Sequence, residues 1–202
     1  IDGTDVTGLP EHKRAKYIGR VFQDPRLGTA PNMTIEENLA MAYRRGQSRG
    51  LRKGVTAEER KLFRELLASL DLGLENRMST RAGLLSGGQR QALTLLMATM
   101  THPKLLLLDE HTAALDPKTA KKVLELTEKF ITEDKLTVLM ITHNMRDALR
   151  YGNRIMMMHE GQVLLDLPEE QKRNLEVADL MKLFEEASGG GDGALSDRML
   201  LS

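Results

Sequence analysis

Residues 105–116 read LLLLDEHTAALD. Four leucines run without interruption into two adjacent carboxylates, Asp109 and Glu110. A short continuous apolar run is the pattern of a central parallel strand, buried on both faces. Burying an unpaired charge is costly, so acids ending such a run sit where water, a metal or a partner reaches them. In an open α/β sheet, ligands bind at the carboxyl ends of the strands. The stretch therefore predicts a strand over 104–108 whose tip carries two acids at the ligand-binding edge. An Asp there suits Mg²⁺, a hard cation held through one or two carboxylates while it keeps several waters. An adjacent Glu points to the other side of the tip and can orient and deprotonate a water. Taken alone, the pair is equally compatible with an exposed strand end.

Working outward, Leu136–Thr142 (LTVLMIT) is a second apolar strand, ended by His143. Pro117 opens a helix running to about Glu133, and the short helix NMRDALRYG follows His143. Arg154–Met158 and Gln162–Asp166 flank HEG as a hairpin, and Asp179–Ala187 is a final helix. Upstream, YIGRVF (17–22) is a short strand ending at Gln23, broken by Asp24-Pro25. Thr34 with Glu37, and Thr56 with Glu59, are capping boxes that open two helices. RRGQSRGLRKG (44–54) reads as a basic, Gly-rich loop, and residues 71–85 as irregular. Ser86–Met100 is a third helix, apolar on most faces after its first turn and stopped by Pro103. Strands alternating with helices predict an α/β domain with a mainly parallel core. Residues 24–100, nearly all helix and loop, predict a separate helical lobe, and the Gly-rich 188–202 a flexible tail.

The 202 residues carry 29 Lys+Arg against 29 Asp+Glu, a net charge of zero, which argues against non-specific nucleic-acid binding. With no cysteine there is neither a disulfide framework nor a thiolate metal site. No apolar stretch reaches the roughly 18 residues that span a bilayer, and the first residues lack the apolar core of a signal peptide. Tryptophan is absent and aromatics are 3%, which disfavours single-strand readers that stack bases.

Three further features carry chemistry. LSGGQ (85–89) puts Ser86 at the N-cap of a buried helix, with Gly87 and Gly88 in its first turn. Free N–H groups, the helix dipole and glycines that admit close approach suit an anion. A Gly pair there costs helix stability, so it calls for a reason beyond an ordinary Ser cap. His143 ends the second apolar strand, a position expected to lie near Asp109 and Glu110. A lone His is more often structural, and position alone promotes this one. Gln23 ends the first strand at the entry to the helical segment, where it would mark a hinge.

In order and spacing, Val21–Pro25, Leu85–Gln89, Leu105–Glu110, Ala114–Asp116 and Thr142–His143 resemble the Q-loop, signature, Walker B, D-loop and H-loop of the nucleotide-binding domain of ATP-binding cassette (ABC) transporters. The resemblance covers nearly the whole chain. It implies a P-loop NTPase fold of the ABC-ATPase type, with a parallel-sheet core and a helical lobe. The partial domain would span 1–187, with the lobe at 24–100 and the catalytic half of the core at 101–187. It implies ATP and Mg²⁺ as cofactors. Asp109 would hold the metal through water, and Glu110 would polarise the attacking water. His143 would contact the γ-phosphate, and Gln23 would sense metal and water. Ser86, Gly87, Gly88 and Gln89 would face the nucleotide on a second subunit, and Asp116 would cross the dimer interface. Implied partners are a second copy, a transmembrane permease and an extracytoplasmic substrate-binding protein, with no nucleic acid. The implied place is the cytoplasmic face of the membrane. One departure is His111, where the family commonly has Pro.

The phosphate cradle GxxxxGK[ST] is not among these residues: no Gly-Lys dipeptide occurs in them. The resemblance implies that the chain begins downstream of that loop and of the adenine-stacking aromatic. These residues alone are then expected to bind ATP poorly and to be inactive. Within the family, a soluble repair or translation ATPase is the alternative. Only 62 residues, 24 to 85, separate Gln23 from Ser86, too few for the long coiled-coil arms of repair types, and there is one signature, not two. An inactive fragment is the reading from a different class, opposed by the intact Glu110 and His143. The LLLLDEHTAALDPKTA stretch and the signature helix look like those of putative amino-acid importers.

Overall fold

The computed structural model describes residues 1–47 and 54–188. Part of the expected basic loop (48–53) and nearly all of the expected tail (189–202) lie outside the described residues. By packing, the described residues divide into two compact units, one up to Ile141 and one from Thr142 on.

The first unit runs α1 (Glu11–Arg14), β1 (Ile18–Val21), α2 (Ile35–Tyr43), α3 (Ala57–Ala68), α4 (Gly87–Thr99), β2 (Leu105–Asp109), α5 (Pro117–Asp134) and β3 (Thr137–Ile141). Its sheet has the order β1-β2-β3, and both pairings are parallel. The two apolar runs thus lie side by side, Leu106 opposite Val138 and Asp109 opposite Ile141. β2 continues through Asp109, one residue beyond the apolar run, because that residue still pairs with β3.

Local signals fixed the helix starts. Thr34 caps α2 and Thr56 caps α3, each with a reciprocal capping box to Glu37 or Glu59. Ser86 caps α4 in the same way, its Oγ accepting from Gln89 N and Gln89 Oε1 accepting from Ser86 N, both at 3.3 Å. Asp116 caps α5, with Pro117 in the first turn, where the missing N–H is no loss. The four-residue α1 was not expected, since it is too short for a 3.6-residue period to show.

The helical segment is not walled off from the sheet. Ile35, Leu39, Phe63 and Leu67 share one buried cluster with Val21, Leu106 and Leu108 of the strands and Leu93, Leu96, Leu126 and Phe130 of α4 and α5. Its apolar faces therefore close over the same core as β1 and β2.

The second unit holds α6 (Met145–Arg150), the antiparallel hairpin β4 (Arg154–His159) and β5 (Gln162–Pro168), α7 (Glu169–Lys172) and α8 (Val177–Ala187). The hairpin turns on Glu160 and Gly161, both at positive φ (48° and 79°), the requirement of a tight two-residue turn. Its own core is Met145, Ile155, Leu167 and Leu180. Lys172, nearly buried, donates from Nζ to the carbonyls of Tyr151 and Gly152 just past α6, at 2.5 and 2.7 Å. Among the described residues no helix is long and apolar enough to cross a membrane.

Candidate functional site

The tips of β1 and β2 bring three of the expected residues together. Asp109 closes β2, with its carboxylate 3.4 Å from the Arg20 guanidinium of β1. Both side chains are about half exposed (51% for Arg20, 41% for Asp109), so the contact is solvent-screened and adds little stability. Arg20 also lies over the Phe22 ring, 4.5 Å from its centroid.

The chain leaves β2 abruptly at Glu110. Its φ is +41°, a left-handed conformation costing a non-glycine residue about 1–2 kcal/mol. Glu110 N donates to Ile141 O at 3.0 Å, and Glu110 O accepts from Ala113 N at 3.0 Å, which holds the turn. Strain of this kind persists where the surroundings over-determine it. Gln23 Nε2 then donates to Glu110 Oε2 at 3.1 Å, although the two are 87 positions apart in the sequence.

Beneath the pair lies Gln91 of α4, fully buried. Its Nε2 donates to Phe22 O at 2.9 Å and to His111 O at 2.6 Å. His111 fills the buried side of the turn, 2% exposed, with Nε2 3.1 Å from Thr127 Oγ1. Thr127 directs its own hydroxyl proton to Val123 O at 2.8 Å, so His111 donates from Nε2. Burial pushes the His111 imidazole down to about 4, so it is neutral at pH 7. A Pro here would offer no such contact to α5.

The LSGGQ segment and the Asp116 turn meet within the chain. A Cβ on Gly88 would fall 1.9 Å from Thr119 Cγ2 in the first turn of α5, and one on Gly87 3.6 Å from Leu115 Cδ2. Gly88 is therefore required by the close approach of α4 to α5, a reason distinct from ligand access. Asp116 Oδ1 accepts from Thr119 N at 3.1 Å, and hydrogen bonding from the Thr119 side chain, then from its backbone N–H, holds the Asp116 carboxyl below the usual range.

His143 belongs to the second unit. Beside it, Thr142 Oγ1 accepts from Asn144 N at 3.0 Å, and Asn144 Oδ1 caps α6 through Arg146 N and Asp147 N. Burial raises the Asp147 carboxyl, opposed by the charges of Arg150 and His143.

Residues 1–113 match the family model described as ABC transporter. Over 187 residues the chain is 46% identical to the tyrosine transport ATP-binding protein of Clostridioides difficile (strain R20291), which covers 93% of this chain and 74% of that protein. The chain belongs to the ABC transporter ATP-binding family. ATP is the nucleotide of this family, and its hydrolysis serves transport. The high-affinity branched-chain amino acid transport ATP-binding protein BraF of Pseudomonas aeruginosa is 33% identical over 86% of this chain and 71% of its own. The phosphonates import ATP-binding protein PhnC of Frankia casuarinae is 36% identical over 81% of this chain and 65% of its own. Among solved structures, the ATP-binding cassette MJ0796, a dimer in a post-hydrolysis state bound to ADP and Pi, superposes with a TM-score of 0.68 at 32% identity. It covers 84% of this chain and 72% of that one. The chain thus spans between 65% and 74% of the length of these three protein relatives.

For an ABC ATP-binding chain, sequence reading missed Gln91, Arg20 and Thr119. Each is an ordinary residue inside a helix or strand. Only the contact each makes distinguishes it.

Proposed function

We propose that this ABC ATP-binding chain carries the water-activating and signature parts of a transporter ATPase site, with Glu110 as the general base. The observation that supports it is the Gln23–Glu110 hydrogen bond of 3.1 Å at the strand tips, where α/β sheets bind ligands. The donated bond from Gln23 fixes one Glu110 oxygen and so orients the carboxylate. Such positioning is most of what phosphoryl transfer asks of a protein.

The donor chemistry fits Mg²⁺. Asp109 offers a half-exposed hard oxygen donor next to Glu110. Gln23, by donating through Nε2, leaves its amide oxygen as an acceptor. Among the described residues no group of three or more His, Cys, Asp or Glu forms a cage. Mg²⁺ takes one or two carboxylates and completes its shell with water and substrate phosphates. Asp109 and Gln23 would hold the ion, which would neutralise phosphate charge. Glu110 takes the proton of the attacking water. His143 donates to the γ-phosphate. Ser86, Gly87, Gly88 and Gln89 present the α4 amino end to the nucleotide of a second copy, and Asp116 meets that copy across the interface. A site shared in this way fires only on closure, which couples hydrolysis to movement of a transmembrane permease at the cytoplasmic face. An extracytoplasmic binding protein delivers the cargo. Amino acids are the class favoured by the 46% likeness to a tyrosine transport protein.

The test uses the full-length subunit. Glu110→Gln keeps shape and hydrogen bonding but removes the basic carboxylate. Turnover falls by about 10²-fold or more, the scale of a lost general base, while ATP binding survives and a closed dimer accumulates on gel filtration with ATP. Asp109→Asn slows phosphate release without a comparably stable dimer. Wild-type turnover in Glu110→Gln would falsify the assignment.

A further inference from the structure

We infer that Gln91, in the second turn of the signature helix, is a positioning residue that sets the Gln23–Glu110 pair. The inference rests on the reading of Glu110 as the base. Phe22, whose carbonyl Gln91 holds, directly precedes Gln23, and His111, whose carbonyl it also holds, directly follows Glu110. One amide nitrogen therefore ties the two backbone segments that carry the pair, at 2.9 and 2.6 Å. Both segments leave their strands at these points, β1 ending at Val21 and β2 at Asp109. Gln91 Oε1 is buried and has no hydrogen-bond partner among the described residues. An amide whose acceptor is left unmet is retained for its donor side, which has two carbonyls to serve.

The position of Gln91 gives the tie a direction. It stands two residues beyond Gln89, on the helix whose first turn is the signature. A rotation or shift of α4 therefore pulls on Phe22 and His111 together and changes the distance from Gln23 to Glu110. The strand tips read the state of the signature end through this side chain, inside one subunit.

The experiment measures kcat and KM for Mg-ATP, with single-turnover phosphate release, in the full-length subunit. Gln91→Met keeps volume and removes both donors. The expected result is a fall in kcat of about 10-fold or more, the scale of a small misplacement of reacting groups, with KM changed less than about 3-fold. In the Glu110→Gln background the same substitution changes the residual rate less than about 2-fold, because there is no base left to misplace. A merely structural role moves both backgrounds by the same factor, and that result overturns the inference, as does an unchanged kcat in Gln91→Met. Thr99→Val removes another buried hydrogen bond of α4, from Oγ1 to Leu95 O, and serves as the stability control, with lowered Tm and unchanged kcat. Should Gln91→Met fail to fold, Gln91→Asn, which retains the amide but is one methylene too short to reach both carbonyls, carries the same comparison. Wild-type turnover in Glu110→Gln alone defeats the assignment of the base, and is told apart from a failure of Gln91 by that single variant.

Discussion

On one side of β2, Leu106 and Leu108 are 0% and 1% exposed. On the other, Leu105 and Leu107 are half-buried, and on β3 Leu139, in register with Leu107, and Ile141, in register with Asp109, are 45% and 54% exposed. Both sides belong to one parallel sheet, and parallel sheets are expected to be covered on both faces. The difference lies in what packs there. The Val21–Leu106–Leu108 face is buried in one cluster with α4 and α5. The opposite face carries Arg20 and Asp109 at its tip and is half open. The face packed on α4 and α5 holds the strand tips from below, while the other carries Arg20 and Asp109 at its tip. Near-identical leucines, alternating along one strand, serve opposite ends because side chains alternate sides.

That contrast sets the size of substitution effects. The largest is expected for Leu106→Ala, which leaves a cavity against α4 and α5 and costs about 2–5 kcal/mol. Urea unfolding measures it, and a loss below about 1 kcal/mol would mean the face against α4 and α5 is not close-packed. Next is His111, on the buried side of the turn. In the unfolded chain a His takes up its proton near pH 6.5, while in the folded chain burial delays this to about 4. The unfolded state therefore binds more protons between these values, and stability is lost as pH falls through that window, by on the order of 3 kcal/mol. His111→Asn should flatten this part of the pH–stability curve relative to the parent, and an unchanged slope would place the imidazole in contact with water.

A smaller effect is expected at Gly88. Gly88→Ala improves helix propensity but drives a methyl into Thr119, for a net loss of about 1–2 kcal/mol. Thr119→Ser removes the opposing methyl, so the double variant should recover most of the loss. Additive losses would show that α4 and α5 are not held by this contact. The smallest belongs to the open face. Leu139→Ala, at a site 45% exposed, should cost less than about 1 kcal/mol, well under half the effect of Leu106→Ala in the same unfolding series. Equal losses at the two positions would erase the distinction between the faces.

How much of this was legible beforehand follows from the range of each signal. Thr34 with Glu37, Thr56 with Glu59 and Ser86 with Gln89 are three residues apart, so their capping boxes could be read directly and recur in the structure. Continuous leucines and valines marked β2 and β3 because their burial imposes composition. The motif order gave the family. What the apolar faces of 24–100 pack on was not legible, since a helical pattern says which face is apolar and not what covers it.

The sequence by itself determined the elements, their starts, the presence of two acids at a strand end and the ABC identity, because each is encoded within a few residues or in the order of short motifs. Tertiary structure alone decided the rest. It set Gln23 on Glu110 across 87 positions of sequence, and Gln91 between Phe22 and His111. It buried His111 against Thr127, fitted Gly88 to Thr119 and left Leu139 and Ile141 open on one face of the sheet. These depend on the register of three strands and the approach of two helices. Such contacts form only when distant segments are brought together, and nothing in the local sequence of either partner specifies the other.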